Sequence, residues 1–225
     1  MLRNALKSPL LGVLLLSAGC ARNAMETSAF RLPWQDVPEK IPGVKAPNER
    51  IAELKAIAKY KHSAEQGDQL AAEIQHEQDP LVRLHIVRAL ATIPGDKASA
   101  VLHAGLEDPE ESVRIACCEA WGQRGGPQAV EELSTVLHAE SSVDVRMAAA
   151  RALGLTKQAT AVKPLAEVLA DNDPAMQRRA IESLKGVSGK DYGYDLQAWR
   201  QYAAGETVQQ RERGLAERLF GRSLF

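Results

Sequence analysis

The sequence contains few of the residue types that usually carry chemistry. Aromatic residues make up only 4% of its 225 residues, and it has five histidines and three cysteines. No two histidines are spaced as His-x-x-x-His and no Cys-x-x-Cys pair occurs, so the common zinc-binding patterns are absent. A Gly-x-Ser-x-Gly elbow, a phosphate-binding loop and a dinucleotide fingerprint are missing as well. We therefore predict that the protein is not an enzyme and that it binds no metal and no cofactor.

The chain also lacks an excess of positive charge, a long apolar run and a usable disulfide pair. Lys and Arg number 28 against 29 Asp and Glu, whereas nucleic-acid-binding domains are usually basic, so we expect no nucleic acid among its partners. The apolar run at residues 10–16 is shorter than the roughly 20 residues that span a bilayer. Cys117 and Cys118 are adjacent, and a disulfide between neighbours on a helix would be strained.

The first 20 residues read as an export signal. Arg3 and Lys7 precede the apolar run and small residues follow it, as in a secretory signal. The segment Leu16-Ser17-Ala18-Gly19-Cys20 resembles a bacterial lipobox, which implies cleavage before Cys20 and acylation of that cysteine. We predict a lipoprotein signal over residues 1–19 and lipidation at Cys20. The alternative is an ordinary secretory signal with an incidental cysteine.

The residues after Cys20 indicate where the protein would be held. Ala21 and Arg22 lack the aspartate that resembles an inner-membrane retention signal. The expected location is therefore the cell envelope, lipid-anchored on the outer membrane and facing the periplasm. Prolines recur through residues 20–47, which we predict to be a tether with a reach on the order of 30 Å.

Between Asp79 and Val187 one pattern returns every 31 or 32 residues. A repeated arginine marks each copy, and five or six residues later a small residue precedes a large apolar one, as in Ala120-Trp121 and Ala152-Leu153. Self-similarity at this period is the signature of a stacked-repeat protein.

Each copy has the pattern of two short helices separated by a turn rich in Asp, Pro and Ser. The aspartates of these turns are placed to accept hydrogen bonds from the free N–H groups that begin the second helix. One such helix pair cannot bury its own apolar face, so neighbouring pairs must stack. The predicted fold is all-α: a right-handed α-solenoid of about four helix pairs over residues 48–187, with an N-terminal cap helix.

Two motifs carry a family resemblance. The turn Asp108-Pro109 with Val113-Arg114, and the run Ala149 to Gly154, resemble HEAT repeats in their short bacterial, phycobilisome-lyase-like form. The resemblance implies that aspartates and arginines form a ladder between successive repeats and that the second helices line a concave face. Carried onto this chain, the ladder would consist of Asp79, Arg83, Asp108, Arg114, Asp144, Arg146, Asp173 and Arg178. The third copy departs from the pattern, with Ser141-Ser142-Val143 in place of Asp-Pro.

Residues 188–205 hold a cluster of aromatic residues. We predict that they form a C-terminal lid over the exposed apolar face of the last repeat, because this segment resembles the end of other bacterial helix arrays. The lid residues are Tyr192, Tyr194, Trp199 and Tyr202. The alternative is a stacking platform for cell-wall glycan. The tail, residues 206–225, has a basic amphipathic pattern that would lie on an anionic membrane or dock on a partner, or else pack weakly and stay disordered.

These features predict a membrane-anchored scaffold that binds a protein partner through its concave helix surface. Since the ladder would occupy the repeated arginines, partner contacts are expected from neighbouring exposed side chains: Arg88, Glu119, Arg151 and Glu182. The sequence does not indicate who the partner is.

Two other functions are kept as alternatives. One is binding of envelope glycan. The other is an enzyme or enzyme subunit, since deoxyhypusine-hydroxylase-like iron proteins and bilin lyases share the repeat shape. In the hydroxylase-like proteins several His-Glu dipeptides bind the metal, whereas in this sequence only His76-Glu77 occurs. Repeat shape alone does not carry an activity.

Overall fold

The structure, a computed structural model, describes residues 45–57 and 63–208. The chain divides into two units, Met1–Lys45 and Ala46–Phe225, and every described helix belongs to the second. The predicted signal peptide, the lipidation site Cys20, nearly all of the tether and most of the tail lie outside the described residues.

The described residues form ten α-helices and contain no β-strand. The helices are α1 (Pro47–Ile57), α2 (Ala64–Ile74), α3 (Pro80–Leu90), α4 (Asp96–Ala104), α5 (Glu111–Arg124), α6 (Gly126–Ala139), α7 (Val143–Thr156), α8 (Val162–Glu167), α9 (Pro174–Ser188) and α10 (Leu196–Ala203). Short 3₁₀ turns extend the first helices of two repeats: Gly105–Glu107 follows α4, and Ala159–Ala161 and Val168–Ala170 flank α8.

The helices are arranged in two rows. Helices α1, α3, α5, α7 and α9 form the second row, in which each helix packs against the next. Helices α2, α4, α6, α8 and α10 form the first row, and each of the first four packs against the second-row helix that follows it. The predicted α-solenoid of four helix pairs is therefore confirmed.

Side chains in the turns cap the N-terminal ends of several helices. Ser63 and Gln66 form the capping box at the start of α2, and Asp79 and Asp173 accept hydrogen bonds from the first turns of α3 and α9. These side chains satisfy N–H groups that have no partner within the helix. In the third copy the cap is Ser142, which accepts from the Val145 N–H, and not the predicted Asp144.

Small residues let the second-row helices approach closely. A Cβ atom on Gly122 would lie 2.9 Å from the Cα of Ala152, and one on Gly154 would lie 2.9 Å from the Cα of Ser183. Ala152 and Ser183 are themselves buried. This contact explains the small residue in each sequence copy, because a larger side chain there would force adjacent helices apart.

The array is closed at both ends by single helices. Helix α1 packs on α3 through Leu54, and α10 packs on α8. Trp199 of α10 is fully buried and its Nε1 donates to the carbonyl of Gly193 at 3.0 Å. Its ring meets Tyr192 and Tyr202 edge-on, with centroids 4.9 and 6.0 Å away. Tyr194 differs from the predicted lid, since 61% of it is exposed.

Candidate functional site

A ladder of arginine–carboxylate pairs joins successive repeats at the turns that lead into the second-row helices. Arg83 donates from Nε and Nη2 to the carboxylate of Asp108, at 2.9 and 2.8 Å. Arg114 donates to Glu140 in the same way, at 2.9 and 3.4 Å. Arg146 pairs with Asp171. Each arginine thereby links its own repeat to the end of the first-row helix of the next.

Each ladder carboxylate also fixes its own turn. Asp108 accepts from the N–H of Glu110 at 2.9 Å, and Glu140 accepts from the N–H of Ser142 at 2.8 Å. Asp171 accepts from the N–H of Asp173 at 2.9 Å. One carboxylate thus serves a local turn and a contact between repeats.

The register of the ladder acids differs from the sequence prediction. Of the four predicted acids, only Asp108 pairs with a ladder arginine. Asp79 and Asp173 lie two residues after the ladder acids Glu77 and Asp171 and serve as helix caps. Asp144 is exposed in the first turn of α7. The ladder acid sits before the cap residue because only there does it reach back to the preceding arginine.

The ladder also begins one helix earlier than predicted and ends one helix sooner. Arg50 of α1 pairs with Glu77 at 2.5 Å. In α9 the equivalent position, four residues after the cap, holds Gln177, whose amide donates to the carbonyl of Asp171 at 2.7 Å. Arg178, the predicted member, lies instead with its guanidinium 5.7 Å from the ring centre of Tyr194.

Hydrogen bonding lowers the pKa of three ladder acids, Asp108, Glu140 and Asp171. Burial is the largest effect on Asp108 and acts to raise its pKa, but hydrogen bonds from Arg83 and the Glu110 N–H outweigh it and hold the pKa below its ordinary value. The pKa of Glu140 is lowered in the same way. For Asp171 the hydrogen bond from the Asp173 N–H is the largest effect and lowers the pKa directly.

Three of the four predicted partner-binding residues contact one another. Glu119 of α5 lies between two arginines: Arg88 of α3, 3.7 Å away, and Arg151 of α7, which donates a hydrogen bond to it. The two arginine side chains are 50% and 52% exposed, so their outer faces remain available to a partner. The fourth residue, Glu182 of α9, accepts from Arg179 at 2.8 Å.

A groove between α7 and α9 continues this row of charges. Its lining combines Met147 and Pro174 with Arg178, Arg179 and Glu182. Beside it the exposed ring of Tyr194 is flanked by two cations, Arg178 at 5.7 Å and Lys185 at 5.2 Å from the ring centre. The second-row surface, as the term is used below, comprises Arg88, Glu119, Met147, Arg151, Arg178, Arg179, Glu182, Lys185 and Tyr194.

Sequence reasoning missed the groove and the position of Tyr194. The sequence did indicate the position of Met147, because this residue lies one helical turn before Arg151 and therefore shares its helix face. Tyr194 carried none, since its place beside α9 depends on the turn over residues 189–195.

The described residues hold no group of three or more His, Cys, Asp or Glu side chains placed to bind a metal ion. Glu77 of the His76-Glu77 dipeptide is engaged by Arg50 and by the N–H of Asp79. This dipeptide therefore does not fit the metal-ligand role that the hydroxylase resemblance implies. Within the same residues, no helix has both the length and the apolar character needed to cross a bilayer.

Comparison with known proteins identifies the repeats. A family model described as HEAT repeats matches residues 67–143 and 130–216. Among solved structures, human deoxyhypusine hydroxylase in complex with glycerol is similar, with 16% identity and a TM-score of 0.47. The match covers 82% of this chain and 60% of the hydroxylase chain, less than two thirds of its length. A comparison with curated proteins found no match.

The prediction that the protein is not an enzyme is corrected by this match, because the similar structure is that of an enzyme. With 16% identity and a TM-score of 0.47, the likeness assigns no activity to this chain.

Proposed function

Because the chain belongs to the HEAT-repeat family, we propose that it is a scaffold that binds a protein partner on its second-row surface. The observation that supports this most strongly is the continuity of that surface. The charged row Arg88, Glu119 and Arg151 runs across three successive helices and leads into the groove beside Met147. Exposed Tyr194 and its two cations close the row. Tyrosine and arginine are the residue types most enriched at the energetic centres of interfaces.

The chemistry of the surface favours an acidic partner. Guanidinium and ammonium groups outnumber carboxylates among its residues. Arg88 and Arg151 share the single carboxylate of Glu119, so each keeps N–H donors that a partner carboxylate can accept from. The groove beside Met147 adds an apolar contact. We therefore infer a partner that presents carboxylates around one apolar side chain.

We further propose that the scaffold is held in the cell envelope by lipid on Cys20, on the outer membrane facing the periplasm. The lipobox-like segment at residues 16–20 supports this, and several acyl chains anchor a protein stably. Mass spectrometry of the mature N-terminus is expected to find a diacylated or triacylated Cys20. Recovery of Cys20→Ser in the membrane fraction at wild-type level would contradict lipid anchoring.

Alanine at Arg88, Glu119, Arg151 and Glu182 together tests the binding surface. These side chains are partly or largely exposed, so helicity by circular dichroism is expected to stay unchanged while capture of the partner is lost. The matched control is alanine at four exposed charged residues of the first-row helices: Lys97, Glu131, Lys163 and Glu167. Capture that survives the first set, or that both sets abolish, would contradict the assignment.

A further inference from the structure

A second feature lies at the opposite end of the second-row helices from the ladder. The turn at residues 91–95, after α3, and the junction of α5 and α6 at residues 123–128 border an open cavity of about 770 Å³. That volume falls within the roughly 300–1,000 Å³ of small-ligand pockets. Its lining includes Trp121 and Arg124 of α5 together with the polar side chains of Thr92, Ser99, Gln123 and Gln128. We call this cavity the notch.

Arg124 is the charged side chain in the lining of the notch. Its Nη1 donates to the hydroxyl of Ser99 at 2.7 Å, and its Nη2 donates to the carbonyls of Leu90, at 2.9 Å, and Ile93. No carboxylate among residues 45–57 and 63–208 forms an ion pair with it, and its enclosed Nε–H has no acceptor there. A partly buried positive charge is therefore held by neutral dipoles alone.

Trp121 has a second orphaned donor in the same place. It is only 2% exposed, and its indole N–H also lacks an acceptor in the described part of the chain. The guanidinium of Arg124 lies 6.0 Å from the centre of the indole ring. Buried N–H groups in folded proteins nearly always have a hydrogen-bond partner. Two donors without a partner among the described residues thus lie beside one cavity, and one acceptor placed between them would satisfy both.

The effect of burial on Arg124 agrees with this. Burial lowers the pKa of its guanidinium, whereas the hydrogen bond that Arg83 donates to Asp108 is the largest effect on Arg83 and raises the pKa of that residue. Arg124 thus occupies a desolvated position without the countercharge that its ladder counterpart has.

We propose that the notch binds a carboxylate group, which pairs with the guanidinium of Arg124 and accepts a hydrogen bond from the indole of Trp121. A carboxylate matches the single positive charge of the lining, whereas a phosphate monoester carries about −1.5 to −2. The Nε of Arg124 and the indole nitrogen of Trp121 are both shielded from solvent by neighbouring atoms. Binding therefore requires the Arg124 side chain to shift and admit the ligand. The notch lies outside the second-row surface, and the proposal does not depend on the function assigned there.

The indole N–H resonance of Trp121 in a ¹H–¹⁵N spectrum of the full chain reports directly on this site. Its assignment comes from its loss in Trp121→Phe. Two carboxylate probes are titrated: succinate, and the peptide Ac-Gly-Gly-Glu-Gly-Gly-NH2. The neutral controls are succinamide and the same peptide with Gln in place of Glu. We expect a saturable shift of the Trp121 resonance with at least one acid and none with either amide.

Two internal comparisons make the titration specific. The indole N–H of Trp199 already donates to the Gly193 carbonyl at 3.0 Å, so its resonance is expected to stay in place. Tighter binding of the Glu peptide than of succinate would assign a peptide as the ligand, and the reverse order would assign a free carboxylic acid. No saturable shift, or equal shifts with acids and amides, would overturn the proposal.

Variants separate binding from folding. Arg124→Lys keeps the charge but loses the planar fork and the Nε–H, so affinity is expected to fall at least tenfold. Arg200→Lys is the matched control, because Arg200 also donates to a backbone carbonyl, that of Leu169 at 2.7 Å, outside the notch. Gln128→Glu retains Arg124 and places a competing carboxylate in the notch, so it is expected to abolish binding even if Arg124→Lys misfolds. Wild-type affinity in both Arg124→Lys and Gln128→Glu would contradict the proposed site.

Discussion

At the N-terminal ends of the second-row helices Arg83 and Arg114 each meet a carboxylate of the next repeat, whereas at the C-terminal end of α5 Arg124 meets none among the residues that the structure describes. Both environments withdraw water from a guanidinium. At the ladder the carboxylate compensates for that loss, and at the notch only a hydroxyl and backbone carbonyls do. Each ladder arginine is thus paired, while two donors beside the notch have no acceptor in the described part of the chain.

The ladder arginines recur in successive repeats, whereas Arg124 occurs in only one. Ladder arginines recur at the same position of α1, α3, α5 and α7, as expected of contacts that serve stacking. The position of Arg124, ten residues after the ladder arginine, holds Ile93, Thr156 and Val187 in the other repeats. Arg124 therefore lies outside the recurring set of stacking contacts, although its own hydrogen bonds to Leu90, Ile93 and Ser99 join α5 to α4 and to the end of the preceding helix pair.

Removing one ladder carboxylate should have the largest effect. In Glu140→Ala, the guanidinium of Arg114 would lose its partner, although the two side chains are only 16% and 11% exposed. We expect the free energy of unfolding to fall by roughly 2–4 kcal/mol, measured by urea denaturation. Asp144→Ala removes a nearby exposed acid and is expected to change it by about 0.5 kcal/mol or less. Equal effects of the two substitutions would contradict the ladder.

Acid should remove the contribution that the ladder carboxylates make to stability. The pKa values of Asp108, Glu140 and Asp171 are lowered by folding. Their contribution to stability is therefore complete above the unfolded-state pKa of about 4 and is lost as the pH falls through the lower folded-state values. We expect the melting temperature to drop steadily below about pH 4. The double variant Asp108→Asn, Asp171→Asn should show a shallower drop, and a drop as steep as that of the wild type would argue against this origin.

Neutralising the notch arginine should have the smallest effect on stability. Arg124→Met removes three hydrogen bonds but also a desolvated charge, and these effects oppose each other. We expect a change in the free energy of unfolding of about 1 kcal/mol or less, by the same urea measurement. A loss as large as that of Glu140→Ala would make Arg124 a structural residue and remove the contrast between the two ends.

The period of the sequence was enough to predict the repeats and three ladder arginines, Arg83, Arg114 and Arg146, because stacking imposes one register on every copy, but Arg50 was not predicted. The acids were harder to find, since Asp and Glu serve equally and lie two residues before the more conspicuous cap. In α9 the run Gln177-Arg178-Arg179 hid the register, and the arginine was assigned one residue too late.

The notch had no signature in the sequence. Trp121 and Arg124 are close in the chain, but Leu90 and Ser99, which hold the guanidinium, precede them by more than 20 residues. What distinguishes the site is a pair of donors that have no acceptor within residues 45–57 and 63–208. That property depends on every neighbouring atom in three dimensions, and no single repeat reveals it.

Site-specific photocrosslinking in cells tests the proposed scaffold function most directly. A benzophenone side chain is placed at position 151 on the second-row surface or, as a control, at position 163, an exposed position of first-row helix α8. The proposed function predicts that one protein is captured reproducibly from position 151 and not from position 163, and that the capture is lost when Glu119 and Tyr194 are both changed to alanine. Adducts that are absent at position 151, or the same from both positions, would contradict it.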